Sequence, residues 1–77
     1  MKDISLYDVP IGQKAIIKKV LNDGSIKRRL LDIGLTPGTV VESTLSNPGG
    51  NLVAYMIRGA LIAIRDDDAK KILIEEI

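Results

Sequence analysis

The sequence predicts a mainly β domain: a small sheet of about five short strands, closed on itself, with one short α-helix inserted after the first strand. Three observations carry that reading. The chain has 77 residues, the size of one domain. Its Ile- and Val-rich runs are short and bounded by Gly, Pro, Asn and Asp, as strands of a small sheet are. Only the stretch from Ser25 to Ile33 spaces its apolar residues for a helix, and it stops at Gly34.

Ile4, Leu6 and Val9 open the chain among polar residues. Ser5 is placed to cap a short turn through Asp8, which Pro10 and Gly12 end. The first strand covers Lys14 to Leu21. Lys18 and Lys19 break its alternation, which predicts a bulge or a strong twist. Asn22-Asp23-Gly24 is a turn signal, and Ser25 can cap the helix by accepting a bond from a free backbone N–H. Ile26, Leu30 and Ile33 share one helix face, with Arg28 and Asp32 on the other. Leu31 stands off that stripe, either packed under Ile4 and Leu6 or facing outward beside Arg28. Gly34 suits a left-handed C-terminal cap, with Leu35 turned back to the core.

Pro37-Gly38 turns the chain into a second strand from about Thr39 to Leu45. Asn47-Pro48-Gly49-Gly50-Asn51 is the strongest break and predicts an exposed, mobile loop. The third strand is Leu52 to Ile57. Val53, Tyr55 and Ile57 form one face, and Leu52, Ala54 and Met56 the other. Both faces are apolar. Arg58-Gly59 predicts a hairpin turn or bulge before a fourth strand, Leu61 to Ile64, which ends at Arg65. Asp66 can cap a helical turn through Asp67, Asp68, Ala69 and Lys70, where acidic residues meet the positive helix end. Ile72, Leu73, Ile74 and Ile77 make the final strand. Such sheets remove their open edges by closing, which gives an SH3-like barrel.

Hydrophobic residues make up 45% of the chain and charged residues 27%, an ordinary globular balance. Phe and Trp are absent, so the core is built from Ile, Leu and Val. The net charge of +1 does not supply the clustered basic surface of a phosphate-driven binder. Lys14, Lys18, Lys19, Lys27, Arg28 and Arg29 keep a small-barrel nucleic-acid binder as an alternative. A single-strand binder also needs stacking aromatics, and Tyr55 is predicted to point inward. Cys and His are absent. This removes disulfides, thiolate or imidazole metal sites, and the usual nucleophile–base pairs, so no catalytic set is assigned. Asp66-Asp67-Asp68 offers oxygen ligands to a hard cation but lacks the spacing of a calcium loop, and it reads as a helix cap. No metal ligand and no cofactor are assigned. Asp3 and Asp8 interrupt any targeting run, and no apolar stretch approaches the roughly 20 residues that span a bilayer. A soluble cytoplasmic protein is expected.

Leu30 to Val41, Leu-Leu-Asp-Ile-Gly-Leu-Thr-Pro-Gly-Thr-Val-Val, is followed by Ile-Arg-Gly at 57–59 and Ile-Ala-Ile-Arg at 62–65. In combination these resemble the FeoA family, and the resemblance covers nearly the whole chain. Asn51-Leu52 departs from the Asp-Pro of many members, and Ala54 and Met56 stand where the outward face is usually polar or charged. The resemblance implies an SH3-like protein associated with bacterial ferrous iron uptake, and transition-metal binding as a family trait. It implies a non-enzymatic accessory that docks on the cytoplasmic part of the FeoB permease and modulates transport. The expected docking surface is an apolar stripe of Leu52, Ala54 and Met56, rimmed by Arg28, Arg58 and Arg65. A crystal or weak homodimer contact over the same stripe stays open. The alternative function is a metal-responsive regulatory module, like the C-terminal domain of repressors related to the diphtheria toxin repressor.

Overall fold

The structure, a computed structural model, describes residues 4–77; Met1, Lys2 and Asp3, including the targeting break read at Asp3, lie outside the described residues. Strands run over Ile4–Ser5 (β1), Lys14–Val20 (β2), Val40–Ser46 (β3), Leu52–Ile57 (β4), Ala60–Arg65 (β5) and Ile72–Glu76 (β6). Helices cover Gly24–Asp32 (α1) and Asp66–Ala69 (α2), and a 3-10 turn covers Leu6–Asp8. All strand pairs are antiparallel, in the order β1-β6-β2-β3-β4-β5. The sheet has one strand more than expected because Ile4 and Ser5 pair with Ile74 and Leu73.

The core is aliphatic around a single buried ring. Leu6, Ile17, Leu35, Val41, Ile57 and Ile72 surround Tyr55, and each is essentially inaccessible to solvent. Tyr55 points inward as expected, and its hydroxyl donates to the Leu6 carbonyl at 3.3 Å. This ties β4 to the N-terminal turn. Ser5 holds that turn: its backbone N–H and its hydroxyl both reach Asp8 Oδ2, at 3.4 and 3.0 Å. The expected irregularity in the first strand is present, as the β2–β6 register shifts between Ile17 and Lys19.

The helix start differs from expectation. Ser25 lies inside α1, whose flanking residue is Asp23, and no side-chain cap bond forms there. The helix end agrees with expectation in detail. Leu35 N–H donates to Leu30 C=O at 3.0 Å, and Gly34 N–H donates to Leu31 C=O at 3.1 Å. These are the two bonds of a Schellman motif, with Gly34 at φ +110° and the hydrophobic pair Leu30 and Leu35 buried together. Leu30 is the one buried residue of α1. Ile33 and Leu31 are half-buried against the core, while Ile26 is 46% exposed. The helix is therefore held by its C-terminal end, and its apolar stripe is incompletely covered.

The 47–51 loop is exposed, as expected, but it is tied down. Tyr7 donates its hydroxyl to Gly50 C=O at 2.7 Å, and Asp66 N–H bonds Asn51 C=O at 3.0 Å. Asn47 closes the loop internally through Leu52 C=O and Leu52 N–H. Arg58 (φ 49°) and Gly59 (φ 83°) form the two-residue β4–β5 hairpin, with the positive φ values of a type I′ turn. Asp66 is the first residue of α2 rather than its cap, and its Oδ1 accepts the Asp67 N–H at 2.9 Å.

Two outcomes follow from this architecture. Gly34→Ala should lower unfolding free energy by about 2 kcal/mol in urea titrations, because a side chain is strained at this φ. An added Cβ also lies 3.2 Å from Arg58 Cδ and Ile57 Cγ2, so Arg58→Ala in the same background should restore only part of the loss. For Tyr55, desolvation by burial, then the neighbouring Tyr7 and Asp8, push the phenol from 10.0 to about 12. The folded state holds this proton more tightly than the unfolded chain does. Its contribution to stability is complete below pH 10 and is lost as pH rises from 10 through 12. In the Tyr7→Phe variant, which removes the second of these causes and leaves the burial, phenolate absorbance should still rise only above pH 10, or when the protein unfolds.

Candidate functional site

The alternation of β4 sends Val53, Tyr55 and Ile57 into the core and Leu52 and Met56 to the outer face. Leu52 and Met56 are 39% and 38% exposed. Ala54 is a correction: it lies between them on the strand but is buried. Its register partners are Leu45 on β3 and Ala63 on β5, and a lone methyl on the central strand does not rise above its longer neighbours. The apolar strip instead widens across the strands. Leu61 opposes Met56, and Leu45 opposes Ala54. Both are more than half exposed.

Leu45 escaped the sequence reading because of a bulge. Strict alternation would place it on the inner side with Val41 and Ser43. The β3–β4 register shifts between Ser43 and Leu45, which turns Leu45 outward. Thr44 beside it donates its hydroxyl to Ala54 C=O at 2.8 Å.

The three expected rim arginines do not sit together. Arg65 is opposite Leu52 in the β4–β5 register. Arg58 occupies the hairpin tip, folded over Gly34, with a guanidinium nitrogen donating to Thr36 Oγ1 at 3.4 Å. Arg28 lies elsewhere, in a shallow recess with Gly24, Lys27, Leu31 and Asp32. That recess also resolves the alternatives for Leu31, which is half-buried yet reaches the surface beside Arg28. Arg29 takes the place expected of Arg28. One residue along a helix turns a side chain by about 100°, so a small error in how the helix sits exchanges the two.

Arg29 belongs to a cleft between α1 and β5. Its walls include Ile26 and Ile33 of α1, Ile62 and Arg65 of β5, and Leu52 of β4, and it encloses about 490 Å³. Apolar side chains line most of it, with Arg29, Arg65 and Asp68 at its margin. Arg29 and Arg65 form no ion pair among the described residues. The cleft thus carries one positive charge in excess beside an apolar floor.

Reactive groups are not assembled. Among the described residues no three of His, Cys, Asp or Glu come together as a metal-binding group. Ser43 is buried with its hydroxyl unpartnered among the described residues, so no base stands ready to activate it. No described helix is long and apolar enough to cross a membrane.

The FeoA domain model matches residues 4–76. No curated protein sequence matches the chain. Among solved structures, the FeoA-like protein of Clostridium acetobutylicum is similar over 100% of this chain and 90% of its own, at 28% identity and a TM-score of 0.88. Stenotrophomonas maltophilia FeoA, solved with zinc, is similar over 94% of this chain and 89% of its own, at 24% identity and a TM-score of 0.83. That protein is described as a procaryotic SH3 domain protein and as a candidate ferrous iron transport activating factor. IdeR of T. acidophilum shares the fold over 100% of this chain and 35% of its own, at 20% identity and a TM-score of 0.85.

Proposed function

The chain belongs to the FeoA domain family, and on that premise we propose that it is a non-enzymatic accessory of ferrous iron uptake. It acts by docking on the cytoplasmic part of a FeoB-type iron permease and modulating transport. One observation supports docking above all: Leu45, Leu52, Met56 and Leu61 stand exposed on the outer face of β3, β4 and β5. Contiguous exposed apolar side chains on a small domain mark interaction surfaces. Methionine adapts to a partner's contour at little cost.

The mechanism is mechanical. A sheet fixed by a packed aliphatic core presents this strip with little reordering, so binding free energy is not spent on folding the surface. Arg65 at its margin adds orientation and selects an acidic partner. Nucleic-acid binding receives no such support. Of the two aromatic rings, Tyr55 is buried and Tyr7 is committed to Gly50 and to Lys70, whose Nζ lies 5.0 Å from the ring centre.

Immobilised protein should retain the solubilised permease, and Met56→Asp should weaken retention by at least about tenfold, or 1.4 kcal/mol. Met56 is exposed, so the variant should keep the wild-type circular dichroism spectrum and melting temperature. Undiminished retention by a folded Met56→Asp would remove the strip from the docking surface. Retention of a transcription factor in place of the permease would favour the regulatory role of the repressor-borne domain.

A further inference from the structure

The two ends of the sheet are unlike. At one end, β1 is only 2 residues long, which blunts that edge. At the other, β5 runs for 6 residues, Ala-Leu-Ile-Ala-Ile-Arg, in unbroken register with β4. It contains no proline, no lysine and no bulge, the devices by which natural edge strands avoid pairing. The two-residue hairpin fixes which backbone groups are free. Ile57 and Ala60 flank the turn and exchange hydrogen bonds, so the pattern repeats at Ile62 and Ile64. The N–H and C=O groups of Leu61, Ala63 and Arg65 therefore point away from β4. No other described strand pairs with them; the Arg65 C=O is taken by the first turn of α2, which leaves the Arg65 N–H and both groups of Leu61 and Ala63 free.

The cleft described above lies along this edge. On its far wall α1 leaves Ile26 exposed and Ile33 half-covered, so the helix stripe and the strand edge share one unmet need. We propose that the β5 edge and this cleft capture an extended segment of a partner protein, carrying alternating apolar and acidic side chains, as a seventh strand. This deepens the docking reading and rests on it. Main-chain bonds to Leu61, Ala63 and Arg65 supply affinity, and alternate side chains supply choice. Side chains on the inner side enter between Ile62 and α1. Carboxylates meet Arg29 and Arg65, which have no ion-pair partners among the described residues. A second copy fits less well, because β5-to-β5 pairing brings two Arg29–Arg65 pairs together without added carboxylates beyond Asp68.

The test uses the intact protein and a fluorescent, end-blocked nonapeptide of alternating Leu and Glu, followed by anisotropy. Its Lys-for-Glu counterpart is the charge control. The acidic peptide should bind, and the basic one should bind at least about tenfold more weakly. Binding should slow amide exchange at Leu61, Ala63 and Arg65 and leave Ile62 and Ile64 as they were. Ala63→Pro removes a free-edge N–H without touching the β4 ladder, a place where an edge strand tolerates proline. It should reduce affinity by about tenfold. Should that variant fail to fold, the exchange pattern of the wild-type protein decides. The proposal is overturned by no binding at millimolar peptide, by equal binding of the basic peptide, by unchanged affinity in folded Ala63→Pro, or by a β5-mediated dimer without peptide. If Ala63→Pro retains the permease fully while Met56→Asp loses it, docking stands and strand addition falls.

Discussion

Two backbone hydrogen bonds at the end of α1 decide where the rest of the chain can go. Leu35 to Leu30 and Gly34 to Leu31 reverse the chain within one turn and bury the two leucines against each other. The reversal delivers the chain into the Thr36–Thr39 turn, which is closed by Thr39 N–H on Thr36 C=O at 3.0 Å. From there β3 pairs beside β2, and β4 and β5 follow as consecutive hairpins. Because only Leu30 of α1 is buried, this corner also sets how the helix stands off the sheet. The cleft is the space left by that stance.

The frame is rigid for a specific reason. With no Phe or Trp, the interior has one large ring to organise around. Tyr55 reaches across to the Leu6 carbonyl, and Tyr7 beside it reaches the 47–51 loop. The N-terminal turn thus braces the middle of the sheet and the β3–β4 loop together. Rigidity suits the docking role proposed for the apolar strip. The apolar strip and the β5 edge are held in place by a core that contributes no reactive group to either.

Features set by neighbours in the chain were legible in the sequence. The Gly34 cap, the Arg58-Gly59 hairpin, the β2 irregularity and the span of β4 all depend on residues a few positions apart. Features set by packing were not. Ala54 alternates outward as expected, yet its burial depends on which side chains lie on the strands to either side. The outward turn of Leu45 depends on a bulge that its own sequence does not announce. Arg29 replaces Arg28 at the cleft because the rotation of the helix on the sheet is a tertiary quantity. The cap at Ser25 failed for a local reason: Gly24, with its positive φ, already opens the helix one residue earlier. The short strand β1 needed β6 to exist, and two residues have no periodicity to detect.

The strand order has a consequence for how the protein is made. β6, the last element, sits between β1 and β2, the first two strands. A nascent chain that has emerged only as far as β5 has the β2–β3–β4–β5 pairings but none for β1, and the β6-facing edge of β2 stands open. Ile72 and Ile74 are missing from its core as well. The sheet is therefore completed only after synthesis of residues 72–76, and a ribosome-bound intermediate exposes a second strand edge that the finished protein conceals.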